Sequence, residues 1–414
     1  MNKNITRIMK SSLVKFRGLI LLLLPLFVGC KEEVRNDHID YSAPAPGQVK
    51  DVTFRNTPGG AVLYYTLPAD ENLRYVRAEY EIRPGAMRET KSSNYKDSLV
   101  LEGFGDTRTY DVKVYSVGKN EKASDPVTVQ VNPTVAPIHL ATKTLKEGFG
   151  GVSVSIENPM KVSLAIELMG DTARLGYQTS LQTYYTSLEK ATFTFRGLDT
   201  IPGNFSVYLR DRWYNLSDTI NATLTPWYEE YIPKDTWLLY ALPTDAVLPY
   251  GGVEGYLPYH LWDEDTTTPY SVYCSSSDYP LPQWLTWDLG MTAQISRFKI
   301  YPNPDWEYNL STPKNIELWG SVYPNMNGSW DESWIPLGKF TLLPPSGNTT
   351  PTDADKTYAR GGIDCELQEN DFAPQAFVPV RYLRLKTIDT FDGPSPYGRT
   401  MIHEISMWGV IVEE

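Results

Sequence analysis

Hydrophobic and polar residues alternate along most of the chain beyond residue 45, and a period of two is the pattern of β-strands with one buried face. Between residues 46 and 133 the alternation comes in short runs separated by turn sequences such as Pro58-Gly59-Gly60. These runs predict about six or seven short strands, which is typical of a β-sandwich. Beyond residue 30, no stretch of 12 or more residues has the 3.6-residue apolar period of a helix.

The alternation continues in two further regions. In residues 134–228 it is clearest at Val152, Val154 and Ile156, which predicts a second sandwich. Residues 229–414 contain four strand-like blocks, at 283–290, 295–300, 380–385 and 402–409. The tryptophans on predicted strands of this region are expected in the core, namely Trp284, Trp287, Trp319 and Trp408. The predicted fold class is therefore all-β, with three β-sandwich domains in tandem.

Short motifs in the three regions resemble known domain families. Residues 110–114, Tyr-Asp-Val-Lys-Val, resemble the late strands of a fibronectin type III domain, in which the tyrosine hydrogen-bonds to the backbone at a corner. Residues 208–218 resemble part of a small Ig-like sandwich found between two other domains in Bacteroidetes lipoproteins. The four blocks of the third region follow the order found in discoidin (factor five/eight type C) domains. This resemblance implies a C-terminal, galactose-binding-like jelly roll in a lipoprotein of a glycan-uptake locus.

The N-terminal segment has the pattern of a secretory signal. An apolar run at residues 18–29 follows a stretch that contains five cations and no acid. The cations are Lys3, Arg7, Lys10, Lys15 and Arg17. Because a membrane-spanning helix needs about 20 apolar residues, we interpret residues 1–29 as a signal peptide.

The residues after this run indicate where the mature chain resides. Gly29-Cys30 resembles the lipobox of bacterial lipoproteins, with Phe27 at a position where leucine is common. The resemblance implies that Cys30 is lipidated; the alternative is an ordinary signal peptide with an incidental cysteine. The next three residues, Lys-Glu-Glu, resemble the signal that sends Bacteroidetes lipoproteins to the outer cell face. We therefore expect an outer-membrane lipoprotein that faces the cell exterior, with residues 30–45 as a lipidated tether.

Net charge narrows the range of partners. The formal charge is −12, and removal of residues 1–29 with their five cations takes it to −17. Nucleic-acid binding depends on cations that meet phosphates, so we expect no nucleic-acid partner. The same charge weakly repels strongly anionic polysaccharides. The 28 tyrosines and 11 tryptophans suit both strands and half-polar contact surfaces.

Two cysteines remain after Cys30, and both lie in the last third of the chain. The periplasm permits a disulfide between Cys274 and Cys365. Two buried free thiols are an equally good reading, because the sequence does not show how close the two Cα atoms lie.

Enzyme motifs are absent from the sequence. The four histidines, His38, His139, His260 and His403, have no metal-ligand spacing, and there is no nucleophile elbow, P-loop or dinucleotide fingerprint. We therefore predict that the chain is not an enzyme. A glycan-degrading enzyme with a carboxylate pair is the alternative, since 50 acidic residues hide any such pair from sequence reading.

An acidic loop at residues 261–270 resembles the loop that folds around a structural calcium ion in discoidin-like domains. The residues that match the family pattern are Asp263, Asp265, Thr268 and the distant Glu404. Hard cations prefer such carboxylate, hydroxyl and carbonyl oxygens. The loop departs from the usual form at Glu264, and the alternative is a solvent-exposed acidic loop without an ion.

Four predicted loops in the third region combine aromatic residues with glycine or proline, at 250–260, 303–308, 356–362 and 389–399. This composition favours contact surfaces at one end of a sandwich. A sugar needs aromatic faces for its apolar side and charged or forked donors for its hydroxyls. The candidate glycan contacts are Trp306, Arg360, Tyr308, Phe391, Arg399, Tyr256 and His260. We expect Trp306 and Arg360 to be the central pair, and the alternative for each residue is packing in the core.

The pattern as a whole predicts a cell-surface lipoprotein that binds a polysaccharide or glycan through its C-terminal domain. In this interpretation the anchor and two sandwiches form a stalk, and the bound glycan is presented to an outer-membrane uptake porin complex. An adhesion protein that binds a host protein or glycoprotein through the same loops is the alternative.

Overall fold

The structure of the chain is a computed structural model that describes residues 39–393 and 398–412. Within these ranges the chain forms β-strands and two short α-helices, which confirms the predicted all-β class. Each of the three regions has its own hydrophobic core. The predicted signal peptide, Cys30 and residues 31–38 of the predicted tether lie outside the described residues. No helix in the described part is long and apolar enough to cross a bilayer.

The first sandwich consists of two antiparallel sheets. Its strands are β1 (Lys50–Thr57), β2 (Gly60–Thr66), β3 (Leu73–Arg83), β4 (Ala86–Ser93), β5 (Ser98–Glu102), β6 (Tyr110–Gly118) and β7 (Val127–Val131). One sheet has the order β1-β2-β5 and the other β4-β3-β6-β7. The alternation seen in the sequence is the alternation of burial, since Tyr110, Val112 and Val114 of β6 all point into the core.

Tyr110 differs from the expectation that its fibronectin resemblance raised. Its hydroxyl donates to the carboxylate of Asp106 at 2.8 Å rather than to the backbone. Tyr80 makes the backbone contact instead, donating to the carbonyl of Glu102 at 3.0 Å. Both tyrosine rings pack against Phe104. Aromatic packing therefore stabilises this corner, and each tyrosine hydroxyl makes a hydrogen bond beside it.

The second sandwich repeats the arrangement of the first. Its elements are α1 (Pro137–Leu140), β8 (Thr142–Gly148), β9 (Gly151–Glu157), β10 (Leu164–Gly170), β11 (Thr179–Thr186), β12 (Lys190–Arg196), β13 (Gly203–Asp211) and β14 (Ile220–Leu224). The sheets have the orders β12-β9-β8 and β11-β10-β13-β14. Strand for strand this is the topology of the first sandwich, with the same three-and-four division.

The third domain is larger, and one long strand pairs with four other strands of its main sheet. Its elements are β15 (Glu230–Tyr231), β16 (Leu238–Leu239), β17 (Tyr273–Cys274), β18 (Gln283–Tyr301), β19 (Pro313–Ser321), β20 (Ile335–Thr341), α2 (Asp353–Arg360), β21 (Ile363–Glu366), β22 (Pro379–Thr390), β23 (Met401–Ile402) and β24 (Glu404–Ile411). The order is β15-β24-β18-β22-β19-β20, with β16 and β21 also paired to β18 and with β17-β23 as a separate pair.

Strand β18 changes partner along its length. Its residues 283–288 pair with β22, and its residues 293–301 pair with β24. Between them Gly290 has φ 72°, and a Cβ there would lie 2.7 Å from the carbonyl oxygen of Thr236, so only glycine fits the bend. Of the four tryptophans expected in the core, Trp287 is buried, whereas Trp284, Trp319 and Trp408 are half-buried.

Helix α2 corrects the prediction that residues 356–362 form a loop. Thr352 caps the helix, since its hydroxyl accepts from the backbone N–H of Asp355 while the Asp355 carboxylate accepts from the Thr352 N–H. This reciprocal capping box stabilises a helix of only eight residues. A helix so short escapes a search for 12-residue apolar periods.

Candidate functional site: an aromatic cluster with one arginine

Five side chains from four loop segments meet at one end of the third domain. They are Tyr250, Tyr256, Tyr270, Trp306 and Arg399, which we call the aromatic–arginine cluster. Beneath it, Val272, Cys274 and Met401 form a small hydrophobic floor separate from the main core, and the rings of Tyr256 and Trp306 pack against this floor. The sequence placed Tyr256, Trp306 and Arg399 on different candidate loops, and the structure brings them to the same place.

The floor exists because two short strands pair at this end. Strand β17 pairs with β23, so that Tyr273 lies opposite Ile402 and Cys274 opposite Met401. The thiol of Cys274 is buried, as is that of Cys365 in the main core. Both thiols are free, which settles the disulfide question left open by the sequence.

A close backbone approach holds the Tyr256 segment against the floor. The N–H of Val272 donates to the carbonyl of Gly255 at 3.0 Å. A Cβ at Gly255 would lie 2.5 Å from the Tyr270 carbonyl oxygen, so a larger residue would push the two loops apart. The segment continues as the short 3-10 helix Glu254–Tyr256, which ends with Tyr256 on the floor.

Tyr250 and Arg399 form the outer edge of the cluster. The guanidinium carbon of Arg399 lies 4.3 Å from the centroid of the Tyr250 ring, a cation–π contact. The Tyr250 and Tyr256 rings are 6.5 Å apart. Two glycines after Tyr250 have φ values of 61° and 68°, so the chain turns sharply and leaves the Tyr250 ring 39% exposed.

The exposure of the rings decides what the cluster can bind. Tyr270 is 74% exposed, and Trp306 is half-buried. Burial raises the pKa of Tyr256, Cys274 and Tyr270 add to the rise, and the Arg399 guanidinium opposes it. The Tyr256 phenol is therefore protonated at neutral pH and can donate a hydrogen bond. The cluster thus offers aromatic faces and polar donors side by side.

Arg360 lies at the end of helix α2 rather than on a loop. Its guanidinium forms an ion pair with Glu307, whose side chain is only 4% exposed, and it donates to the carbonyl of Pro304 at 3.3 Å. Arg360 therefore anchors the helix to the loop that carries Trp306. The arginine beside the aromatic rings is Arg399, and the expected central pair of Trp306 and Arg360 is not the pair that the cluster forms.

Tyr308 and Phe391 pack with each other. Tyr308 is 5% exposed, and its ring meets that of Phe391 edge-on at 5.8 Å. Burial raises the pKa of Tyr308 above its usual range. Because Tyr308 lies in the main core, its ring offers no face to a sugar. Phe391 packs against that core and is half-buried, so its role stays a prediction.

His260 is buried in a hydrogen-bonded group. Its Nδ1 atom lies 2.6 Å from Asp263 Oδ2 and 2.7 Å from the Ser271 hydroxyl. Its Nε2 atom has no partner among the described residues. A serine-hydrolase triad needs serine and aspartate on opposite ring nitrogens, so this group does not have the geometry of a triad. At 8% exposure His260 supports the loop from within rather than facing a ligand.

The residues proposed for calcium are each engaged with protein groups. Asp263 accepts from the backbone N–H of Asp265, and Asp265 accepts from the backbone N–H groups of Thr267 and Thr268. Hydrogen bonds from the Thr268 side chain and from the backbone N–H groups of Thr267 and Thr268 hold the pKa of Asp265 far below its usual range. Glu404 is 1% exposed, and one of its oxygens lies 2.5 Å from the Lys234 ammonium. Its other oxygen accepts from the backbone N–H of Glu264 at 2.9 Å.

These protein contacts occupy carboxylate oxygens that a calcium ion would use, and calcium binding by this loop stays a prediction. Calcium takes six to eight oxygens, whereas no group of three or more acidic, histidine or cysteine side chains in the described ranges is placed to hold a metal. The ammonium of Lys234, 4% exposed, provides the positive charge beside Glu404. Sequence reasoning missed this lysine because it lies 170 residues from its partner.

Two residues of the cluster were not among the predicted contacts. Tyr250 and Tyr270 each lie beside a turn residue, in Tyr250-Gly251 and Pro269-Tyr270. An aromatic residue next to glycine or proline is the signal that could have identified them, since such positions lie on exposed turns.

Three family models match successive parts of the chain. Residues 46–133 match a domain of unknown function (DUF4959), residues 132–235 match another (DUF5126), and residues 262–409 match a third (DUF5000). Among curated proteins the chain has no match.

Solved structures similar to this chain include the following three. A SusE-like protein has 27% identity and a TM-score of 0.40, over 65% of this chain and 97% of that one. The C-terminal domain of a chitobiase from Bacteroides fragilis has 15% identity and a TM-score of 0.31, over 44% of this chain and 100% of that one. A CBM32 module of a family 31 glycoside hydrolase from Clostridium perfringens has 13% identity and a TM-score of 0.30, over 43% of this chain and 94% of that one.

Proposed function

We propose that this chain is a cell-surface lipoprotein that binds a polysaccharide or glycan at the aromatic–arginine cluster and so supports its capture and uptake. One observation carries the proposal. Exposed and half-buried aromatic rings lie beside an arginine, on loops that pack on a small hydrophobic cluster separate from the main core. A buried packing cluster would not leave Tyr270 74% exposed.

The chemistry of sugars explains why this combination suits a glycan. The C–H face of a pyranose ring packs on an aromatic ring, and its hydroxyls need donors and acceptors close to that ring. Tyr270 and Trp306 supply ring surface, while Tyr250, Tyr256 and Arg399 supply polar groups. Because the rings lie on an open end of the domain, we expect shallow binding of modest affinity.

The cellular part of the proposal rests on the N-terminal sequence. The short apolar run that ends in Gly29-Cys30 supports a lipid anchor in the outer membrane, and Lys-Glu-Glu at 31–33 supports display on the cell exterior. A glycan concentrated there would be available to an outer-membrane uptake porin complex. A Cys30→Ser protein is expected to leave the membrane fraction while it keeps its fold.

A glycan array probed with the mature, unlipidated chain tests the binding site. Tyr270→Ala should weaken binding about two- to tenfold, as expected for loss of a stacking ring. Tyr250→Ala should weaken it by a similar factor, because it removes the ring that holds Arg399. Tyr95→Ala is the matched control, because Tyr95 is 91% exposed but lies in the first sandwich. Melting curves of all variants should agree with that of the parent.

Three outcomes separate the possibilities. Loss of binding in the cluster variants alone supports the proposal. Undiminished binding in both variants places the glycan elsewhere on the chain. If no glycan binds and a host protein does, the adhesion alternative replaces the glycan proposal.

A further inference from the structure

Among the described residues, Arg399 is the arginine of the third domain that has no acidic partner. Arg297, Arg360, Arg381 and Arg384 each form an ion pair with a buried or partly buried carboxylate. Among the described residues no acidic side chain pairs with Arg399, whose guanidinium instead lies over Tyr250. The arginine at the candidate site is therefore the one whose charge is not neutralised by the described protein.

Stacking fixes this arginine without using its hydrogen-bonding edges. A guanidinium has five N–H donors in its plane, and a cation–π contact with a ring face uses none of them as a hydrogen bond. Tyr250 is itself held in place, because a β-bridge joins Pro249 to Ser275 beside the floor. Arg399 therefore meets a ligand with its fork already oriented, which lowers the entropy lost on binding.

The net charge of the chain limits what this fork can attract. A mature charge of −17 repels a dense polyanion at long range. Screening reduces such repulsion beyond about 8 Å at physiological salt, so one oxyanion in contact with Arg399 is affected far less. The combination favours a glycan with widely spaced acidic groups over a fully charged polymer.

We infer that the ligand class is an acidic glycan, with a sugar oxyanion bound by the Arg399 fork while a neighbouring sugar face packs on the exposed tyrosine. This inference rests on the proposed glycan binding and specifies its substrate. Carboxylate and sulfate ester share the chemistry that an arginine fork recognises. Fork geometry favours the planar carboxylate of a uronic or similar sugar acid, which can accept two parallel hydrogen bonds.

Matched ligands provide the test. The mature chain is probed with acidic oligosaccharides, with the same oligosaccharides after methyl esterification or carboxyl reduction, and with sulfated counterparts. Removal of the carboxylate charge should weaken binding about tenfold or more, as should Arg399→Ala. Arg399→Lys keeps the charge but loses the fork and the stacking, and should retain only part of the affinity. Arg88→Ala, an exposed arginine of the first sandwich, is the control and should bind as the parent does.

The outcomes distinguish the inference of an acidic glycan from the proposal that the chain binds a glycan at all. Binding that is lost on both esterification and Arg399→Ala supports the acidic-glycan assignment. Stronger binding of sulfated than of carboxylated glycans assigns the oxyanion to sulfate. Equal binding of acidic and neutral partners, with no effect of Arg399→Ala, overturns the inference but leaves glycan binding intact. Failure to bind any glycan overturns both.

Discussion

The two junctions between the three domains differ in the contacts that form them and in how deeply those contacts are buried. The first and second sandwiches meet through a tryptophan, hydrogen bonds to backbone carbonyls and an exposed ion pair. The second sandwich and the third domain meet through a largely buried network of charges. The contrast indicates which part of the molecule should act as one body.

At the first junction, a loop of the second sandwich around Trp213 packs on a turn of the first sandwich at Gly103. Asp211 shapes the loop by accepting from the backbone N–H groups of Trp213 and Asn215, both at 2.8 Å. The Trp213 indole then packs on Gly103, where a Cβ would lie 2.9 Å from the ring. The ion pair between Arg212 and Glu102 has side chains 60% and 52% exposed. A cavity of about 310 Å³ remains between the two sandwiches beside this contact.

The second junction joins three parts of the chain through two arginines. Arg196 of the second sandwich bonds Asp364 at 2.7 Å and Glu366 at 2.8 Å, both on strand β21. Arg297 of strand β18 bonds the linker residue Glu229 at 3.0 Å and Asp364 at 3.3 Å. The side chains of the network are between 6% and 23% exposed. Arg297 also lies 3.6 Å from the centroid of the Trp408 ring.

Burial makes these two sets of charges unequal in energy. An exposed ion pair contributes about 0–1 kcal/mol. A buried pair broken on one side leaves a charge that is removed from water without a partner, at about 3–5 kcal/mol. We therefore expect the second sandwich and the third domain to hold the binding loops as one unit, with any bending at the first junction.

The largest effect is expected from Arg297→Met in the mature chain. The change leaves Glu229 buried without its closest cation, so the free energy of unfolding should fall by about 3–5 kcal/mol. Arg212→Met at the first junction is the matched control and should lower it by about 1 kcal/mol or less. Urea denaturation of the two variants measures the difference. Equal losses would contradict the contrast between the junctions.

The second prediction concerns where the third domain begins. A fragment that starts at residue 232 lacks Glu229 and strand β15, so Arg297 loses its shortest ion pair. A fragment that starts at residue 226 should be more stable by about 1.5–3 kcal/mol, as expected for a hydrogen bond between charged groups.

The variant Glu229→Gln in the longer fragment distinguishes the stabilising effect of the Glu229 charge from that of strand β15. We expect this variant to lose most of the difference between the two fragments. A longer fragment that is no more stable than the shorter one would show that the junction charges do not support this domain.

The third prediction follows from Glu404 and extends the comparison to pH. Burial raises the pKa of Glu404 from 4.5 to about 7, against the opposing effect of Lys234. Between these values the folded state binds more protons than the unfolded state, so stability falls as pH rises. The fall attributable to Glu404 should be about 1 kcal/mol between pH 6 and pH 7. Glu404→Gln should remove that part of the slope, and an unchanged slope would contradict the assignment.

Sequence reasoning succeeded in the strands, where a two-residue alternation of hydrophobic and polar residues determines both the secondary structure and which side chains are buried. The alternating residues of β6 and β9 are buried as the pattern predicts. Loop residues carry no such signal, so Tyr308 looks as available as Tyr270 in the sequence although only Tyr270 is exposed. Arg196 and Glu366 lie 170 residues apart, and no local pattern predicts that they meet. The junctions and the cluster are therefore products of tertiary packing.

The smallest expected effect is that of a chelator. If the Lys234 ammonium supplies the positive charge beside Glu404, saturating EDTA should leave the melting temperature of the mature chain unchanged, since no ion stabilises the native state there. Lys234→Met should lower that temperature, because it leaves the Glu404 carboxylate buried without its cation. Adding calcium to this variant asks whether Asp263 and Glu404 can hold an ion once the lysine is gone. A chelator-induced drop in the parent chain would mean that a cation displaces Lys234 from Glu404, and the buried ion pair would then describe only the metal-free state.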